Sequence, residues 1–305
     1  MRLKLGRPDI EQYRARFDVP TADGDFAVTF LGVATLLLDD GTTKVMFDGF
    51  FSRPPLLSVA LRKLTPDDRR IDAALTRVGA TEVAAVIPVH THFDHAMDSA
   101  VVAQKTGATL VGGESTANVG RGGGLPADRI KVVGDGDRAT YGDFTLTFVV
   151  SDHCPPDRFP GTVDQPVVPP AKADAYRCGE AWSVLVSHTS GRTALVQGSA
   201  GFVPGSLAGR NADVAYLGVG QLGVQSEDYI RTYWAETVET VGAQRVVLTH
   251  WDDFFRPLDL PLRALPFMGD DLDVTMRILG ELAKEQGVAL HLPTVWRRED
   301  PWASA

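Results

Sequence analysis

The chain has 305 residues, 44% hydrophobic and 23% charged, with a formal net charge of −9. This is the composition of a globular protein large enough to bury a sizeable core, and the acidic balance argues against a nucleic-acid partner, because phosphate backbones demand a basic surface and no Lys/Arg block occurs. The N-terminus is charged and broken by Pro8, no run approaches the ~18 apolar residues of a membrane span, and Cys154 and Cys178 are too few for a disulfide scaffold, so a cytoplasmic protein without an integral membrane segment is expected.

In chain order, "DFAVTFLGVATLLLDDGTTKVMFDGF" predicts two apolar strands joined by a turn at Asp39-Asp40-Gly41. A strand over about 83–89 follows, then a short helix in "AMDSAVVAQKTG" stopped near Gly107. Hairpin-like strands are expected in "IKVVGDGDRATYGDFTLTFVVSDH", and "AWSVLVSHTSGRTALVQGSAGF" with "ADVAYLGVG" repeats the pattern of the first half. Ser226 reads as the N-cap of a helix reaching about Val241, and a last helix from about Leu272 to Gln286 ends at Gly287 before the strand "VALHL". Two similar halves without a linker predict one domain over 1–305, with 1–25 as an N-terminal extension and 293–305 as a tail; its expected architecture is two packed sheets with helices on the outer faces. "RGGGL" and "GDGD" lack the Lys-Ser/Thr ending of a phosphate loop and read as turns.

The informative stretch is "AAVIPVHTHFDHAMD". An apolar strand here ends in three histidines and an aspartate. Ionisable groups so dense beside a buried strand cost several kcal/mol unless something balances them, and a metal does so. His90, His153 and His250 each follow a predicted strand, so three strands deliver an imidazole to one rim. His90 and His92, two apart in extended chain, point to one side, while Asp94 and His95 follow a turn and point elsewhere, which suits two adjacent metal sites. His188 and His291 read as ordinary polar loop residues.

"HTHFDH" resembles the H-x-H-x-D-H signature of the metallo-β-lactamase superfamily. The likeness extends from about Val28 to His250 and implies an α+β, four-layer αββα sandwich of two mixed sheets flanked by helices. It implies further that His90, His92 and His153 bind one metal, that Asp94, His95 and His250 bind a second, and that Asp94 is the candidate catalytic residue. Asp48 in "VMFDGF" resembles the aspartate that supports the site from behind. In pattern the chain is most similar to the branch holding sugar-phosphate lactonases and N-acyl phospholipid phosphodiesterases.

One position departs from that pattern. Where the family carries Gly-Asp, with the aspartate bridging the metals, this chain has Gly198-Ser199. A neutral hydroxyl is a poor ligand beside a carboxylate, leaving open two metals bridged only by hydroxide, a weak second site, or one metal. Asp252 and Asp253, following His250, are candidates to orient it or restore the charge. Zn²⁺, as one or two ions, is the expected cofactor, with Mn²⁺ or Fe²⁺ as alternatives. A metal-bound hydroxide would then hydrolyse an ester, lactone or phosphodiester in a small-molecule substrate. The missing carboxylate favours an anionic substrate, and Arg158, in the Pro-rich loop after His153, is a candidate to grip it. An iron-dependent redox enzyme and a non-catalytic metal-binding or sensing protein are the alternatives.

Overall fold

The computed structural model describes residues 4–303; the outermost residues of the expected extension and tail lie outside the described residues. The regular elements are β1 (Ala27–Phe30), β2 (Leu36–Asp39), β3 (Lys44–Phe47), α1 (Leu56–Leu61), α2 (Asp68–Arg77), β4 (Ala85–Ile87), α3 (Phe93–Ala96), α4 (Ser99–Thr106), β5 (Thr109–Gly112), α5 (Glu114–Gly122), β6 (Ile130–Val132), β7 (Arg138–Tyr141) and β8 (Phe144–Ser151). The second half continues with β9 (Ala181–His188), β10 (Thr193–Gln197), β11 (Val214–Gly218), α6 (Glu227–Trp234), β12 (Arg245–Thr249), α7 (Leu272–Gln286), β13 (Ala289–His291) and β14 (Arg298–Glu299).

Hydrogen bonding sorts the strands into two seven-stranded sheets, ordered β14-β1-β2-β3-β4-β5-β6 and β13-β12-β11-β10-β9-β8-β7. In each half an antiparallel meander, β1–β3 or β7–β10, passes into a parallel run, β3–β6 or β10–β13. That is the internal repeat the sequence suggests. Phe30, Leu36, Phe47 and Ile87 of the first sheet pack against Phe148, Val184, Val196 and Tyr216 of the second. Outside, α2 and α4 cover the first sheet through Ile71, Leu75 and Val102, and α6 and α7 cover the second through Ile230, Tyr233, Ile278 and Leu279. Helices on both outer faces explain why β4 is apolar along its whole length instead of alternating, for it is buried on both sides.

The expected caps hold. Ser226 Oγ accepts from the Tyr229 N–H at 3.2 Å, and Gly107 and Gly287 end α4 and α7 at φ 78° and 69°, where a Cβ would be strained. The helix expected to reach Val241 does so, with α6 passing into a π-turn over Ala235–Glu239 and staying helical to Val241. Other expectations need correction. The apparent hairpin near Ile130 is a crossing between sheets, since β6 belongs to the first and β7 to the second. The extension and tail are built into the sandwich: Ile10, Tyr13 and Phe17 lie on the outer core, β14 pairs with β1, and Trp302 Nε1 donates to the Thr193 carbonyl at 3.0 Å. His188 is no loose loop residue either. It packs against Phe26 and Phe144, donates from Nε2 to Asp40 at 3.1 Å, and accepts at Nδ1 from the Ser190 N–H at 3.1 Å. His291 is buried and bonds Asp18 at 2.6 Å.

Candidate metal centre

The strand ends bring the cluster together. His90 and His92 follow β4, and α3 turns Asp94 and His95 away from them; His153 follows β8, and His250 follows β12. Ligand-type atoms of His90, His92 and His153 lie within 4.8 Å of one another, as do those of Asp94, His95 and His250. The two groups adjoin, with the His90 and His95 ring centroids 3.9 Å apart. Two non-glycine residues at the rim take left-handed backbone, Asp48 and His250, each at φ 58°. Such strain persists only where the surroundings impose it, and here the Asp48 N–H is held by the Ile87 carbonyl at 2.9 Å and the His250 N–H by the Val33 carbonyl at 2.6 Å. A Cβ on Gly220 would come within 2.7 Å of His250 Nδ1, so only glycine leaves room for this ring.

The outward-facing nitrogens fix the tautomers. His95 Nδ1 donates to Asp48 Oδ2 at 2.8 Å, and the other Asp48 oxygen accepts the Val89 N–H at 2.9 Å. His153 Nδ1 donates to the Cys154 carbonyl at 2.7 Å, and His92 Nε2 lies 3.1 Å from Asp157 Oδ1. Each bond leaves a lone pair on the opposite nitrogen, aimed inward. His92 Nδ1 thus faces His90 Nε2 at 3.2 Å, His250 Nε2 lies 3.4 Å from Asp94 Oδ2, and His95 Nε2 is buried without a hydrogen-bond partner. A buried, unpaired polar atom costs about 1–3 kcal/mol. Inward lone pairs beside one carboxylate are the donor set a divalent cation satisfies, so the residues fit the metal their sequence implies.

Electrostatics agree for His90, His153 and Asp94, while His95 is held toward its charged form by its carboxylate neighbours. Burial, followed by repulsion from His95 and His92, holds His90 well below the ordinary histidine range, and burial with the neighbouring His92 pulls His153 down to about 4. Burial opposes ionisation of Asp94, but His95 and His250 outweigh it and keep the carboxyl well below its usual range. Burial likewise opposes charge on His95, yet Asp48 and then Asp94 raise its pKa.

The remaining expected site residues fall in different places. Ser199 lies between the incoming strand ends: its Oγ accepts the Cys154 N–H at 3.0 Å, and a Cβ on Gly198 would stand 2.0 Å from the Val89 side chain. Asp252 and Asp253 do not face the cluster. Asp252 forms a fully buried ion pair with Arg53 and accepts the Val33 N–H at 2.8 Å, while Asp253 is held by Arg7 and Arg263 at 3.1 and 3.0 Å. Neither restores charge to the centre. Arg158 is exposed and absent from the wall of the cavity beside His153, about 480 Å³, which Asp152, Asp157, Thr162, Phe202 and Tyr229 help to line. No anion grip is formed there. Sequence reasoning missed Asp157, one residue before Arg158; its only signal was its place in the loop after His153.

No family model matches the chain. It is 30% identical over 123 residues to a UPF0173 metal-dependent hydrolase of Heliobacterium modesticaldum, covering 40% of this chain and 44% of that protein. A second UPF0173 metal-dependent hydrolase, from Carboxydothermus hydrogenoformans, is 28% identical over 128 residues, covering 41% and 47%. The chain thus spans under half the length of the curated relatives it matches. Among solved structures, a possible metal-dependent hydrolase of Veillonella parvula superposes with a TM-score of 0.57 at 15% identity, covering 90% of this chain and 99% of that one. A putative metal-dependent hydrolase of Parabacteroides distasonis gives 0.53 at 12%, covering 88% and 92%, and CmlA, a diiron β-hydroxylase of Streptomyces venezuelae, gives 0.54 at 12%, covering 91% and 54%. The chain has the metallo-β-lactamase fold and carries that superfamily's H-x-H-x-D-H motif at the strand end where the two ligand groups meet.

Proposed function

We propose that this protein is a metal-dependent hydrolase acting on an ester, lactone or phosphodiester bond of a small molecule, with zinc at the His90/His92/His153 and Asp94/His95/His250 groups. The observation that carries this reading is the pair of adjoining ligand groups, in which the outer nitrogens of His95, His92 and His153 are tied off by Asp48, Asp157 and the Cys154 carbonyl. Nitrogen-rich ligation with one carboxylate suits zinc. A divalent cation there supplies Lewis acidity that activates water near neutral pH and polarises a substrate carbonyl or phosphoryl oxygen. Asp94, kept ionised by its histidines, would orient that water by accepting a hydrogen bond from it. Asp48 and Asp157 act as positioning residues by fixing the rings of His95 and His92. The cavity beside His153 supplies space for the substrate, and its walls present Asp152 and Asp157; the proposal therefore does not require an anionic substrate group.

The test combines metal analysis with turnover of ester, lactone and phosphodiester panels. Wild type should lose hydrolysis on chelation and regain it with zinc, whereas His90→Ala/His92→Ala should lose both bound metal and hydrolysis. Hydrolysis that survives complete metal removal contradicts the proposal.

A further inference from the structure

Helix α1 is built against the usual economy of a folded surface. It has six residues, buries none of them fully, and follows Pro54 and Pro55. A helix this short does not support itself. Yet it points Leu56, Leu57 and Leu61 outward at 58, 74 and 79% exposure, and Val168, in the loop whose Ala171 pairs with Leu64, is 65% exposed. Scattered apolar residues need no explanation, but a cluster of large ones marks a contact surface.

The patch is joined to the metal cleft. Leu64, just after α1, exchanges backbone hydrogen bonds with Ala171 at 2.6 and 3.0 Å. Val59, on the inner side of α1, packs on the cluster that holds Val163, Val167 and Phe93, so the same core supports α1, the cleft-walling loop and the H-x-H-x-D-H turn.

Charge selects the occupant. Arg62 and Lys63 follow the leucines directly, and Lys172 follows Ala171; all are exposed and make no ion pair among the described residues. Of the nearby acids, Asp67 is engaged by Arg70 at 3.5 Å and Asp68 and Asp72 by Lys105 at 3.0 and 2.8 Å, while Asp164 and Asp174, toward the two ends of the 163–172 loop, are exposed. On a chain of net charge −9, the local excess of cations lies on the Arg62 and Lys63 side of the exposed leucines. A second copy docking through the same face would set Arg62 and Lys63 against their own counterparts, because a two-fold interface meets itself. An anionic lipid surface offers the leucines an acyl boundary and the cations their counter-charge. We propose that α1 and the 163–172 loop seat the protein peripherally on anionic membrane, with the cleft-walling loop at the lipid surface. None of the described helices is long and apolar enough to cross a membrane.

Co-sedimentation with phosphatidylglycerol vesicles, with phosphatidylcholine vesicles as the comparison, tests this directly. Wild type should partition onto phosphatidylglycerol and much less onto phosphatidylcholine. Leu57→Gln/Leu61→Gln should weaken that partitioning about tenfold or more, the scale of withdrawing two leucines from an apolar phase. Arg62→Glu/Lys63→Glu should abolish the preference for phosphatidylglycerol. Unchanged thermal unfolding of both variants will show that the fold is intact. Equal partitioning of wild type and Leu57→Gln/Leu61→Gln, equal binding to both lipids, or a dimer in light scattering that Leu57→Gln/Leu61→Gln dissolves would overturn the inference.

Discussion

Ser199 sits where two strand ends meet, beside the residues that deliver His90 and His153, and its hydroxyl is committed to the Cys154 N–H at 3.0 Å. An aspartate in that place can keep the acceptor with one oxygen and turn the other toward the centre. We predict that Ser199→Asp tightens the cation at Asp94, His95 and His250 by about 1–3 kcal/mol, the worth of a charge-assisted contact in a partly desolvated site. A competitive metal titration measures this, and indistinguishable affinities would place Ser199 outside that centre. Individual residues were legible to different depths. Asp48 could be named because it directly follows β3, a strand with a recognisable pattern. Asp157 could not, because its partner His92 lies far away in sequence and only the folded loop brings them to 3.1 Å. Asp252 misled for the opposite reason: sequence proximity to His250 suggested the centre, but its side chain turns to Arg53, 199 residues away.

At the scale of elements, that buried Arg53–Asp252 pair ties the segment after β3 to the segment after β12. Arg53 also donates to the Arg256 carbonyl at 2.6 Å and the Asp253 carbonyl at 3.0 Å. Asp252→Asn would keep the shape but leave a guanidinium buried without counter-charge, so we predict a loss of about 3–5 kcal/mol, read from denaturant unfolding. A loss below about 1 kcal/mol would mean that the pair is solvated. A second element-level effect concerns Asp270, which precedes α7 and accepts the Gly223 and Asp271 N–H groups at 3.0 and 2.8 Å. Burial, partly offset by those donors, raises its pKa to about 7. A folded-state pKa above the unfolded value of ~3.9 means its stabilisation is fully present below about pH 4 and is lost as pH rises through about 7. Asp270→Asn should therefore flatten the decline of thermal stability between those limits; an identical pH profile in the variant would refute this. Elements with strong caps, α4, α6 and α7, could be read from sequence. By contrast, α1 hides behind prolines, and β14 spans only Arg298–Glu299 and exists because β1 offers it an edge.

For the whole molecule, the repeat was legible because both halves pass from hairpins to buried parallel strands, and the cluster because four ionisable residues crowd one strand end. The cavity was not, since its walls come from loops after β8 and from Phe202 and Tyr229, whose approach no local pattern encodes. The two sheets deliver their strand ends to one candidate metal centre. Anomalous diffraction from zinc-loaded crystals, recorded on both sides of the zinc absorption edge, will locate the bound ions. A strong peak is expected among His90, His92 and His153 and a weaker one among Asp94, His95 and His250, because Ser199 adds no charge there. Absence of a peak at either group, or zinc bound only elsewhere, would contradict this expectation.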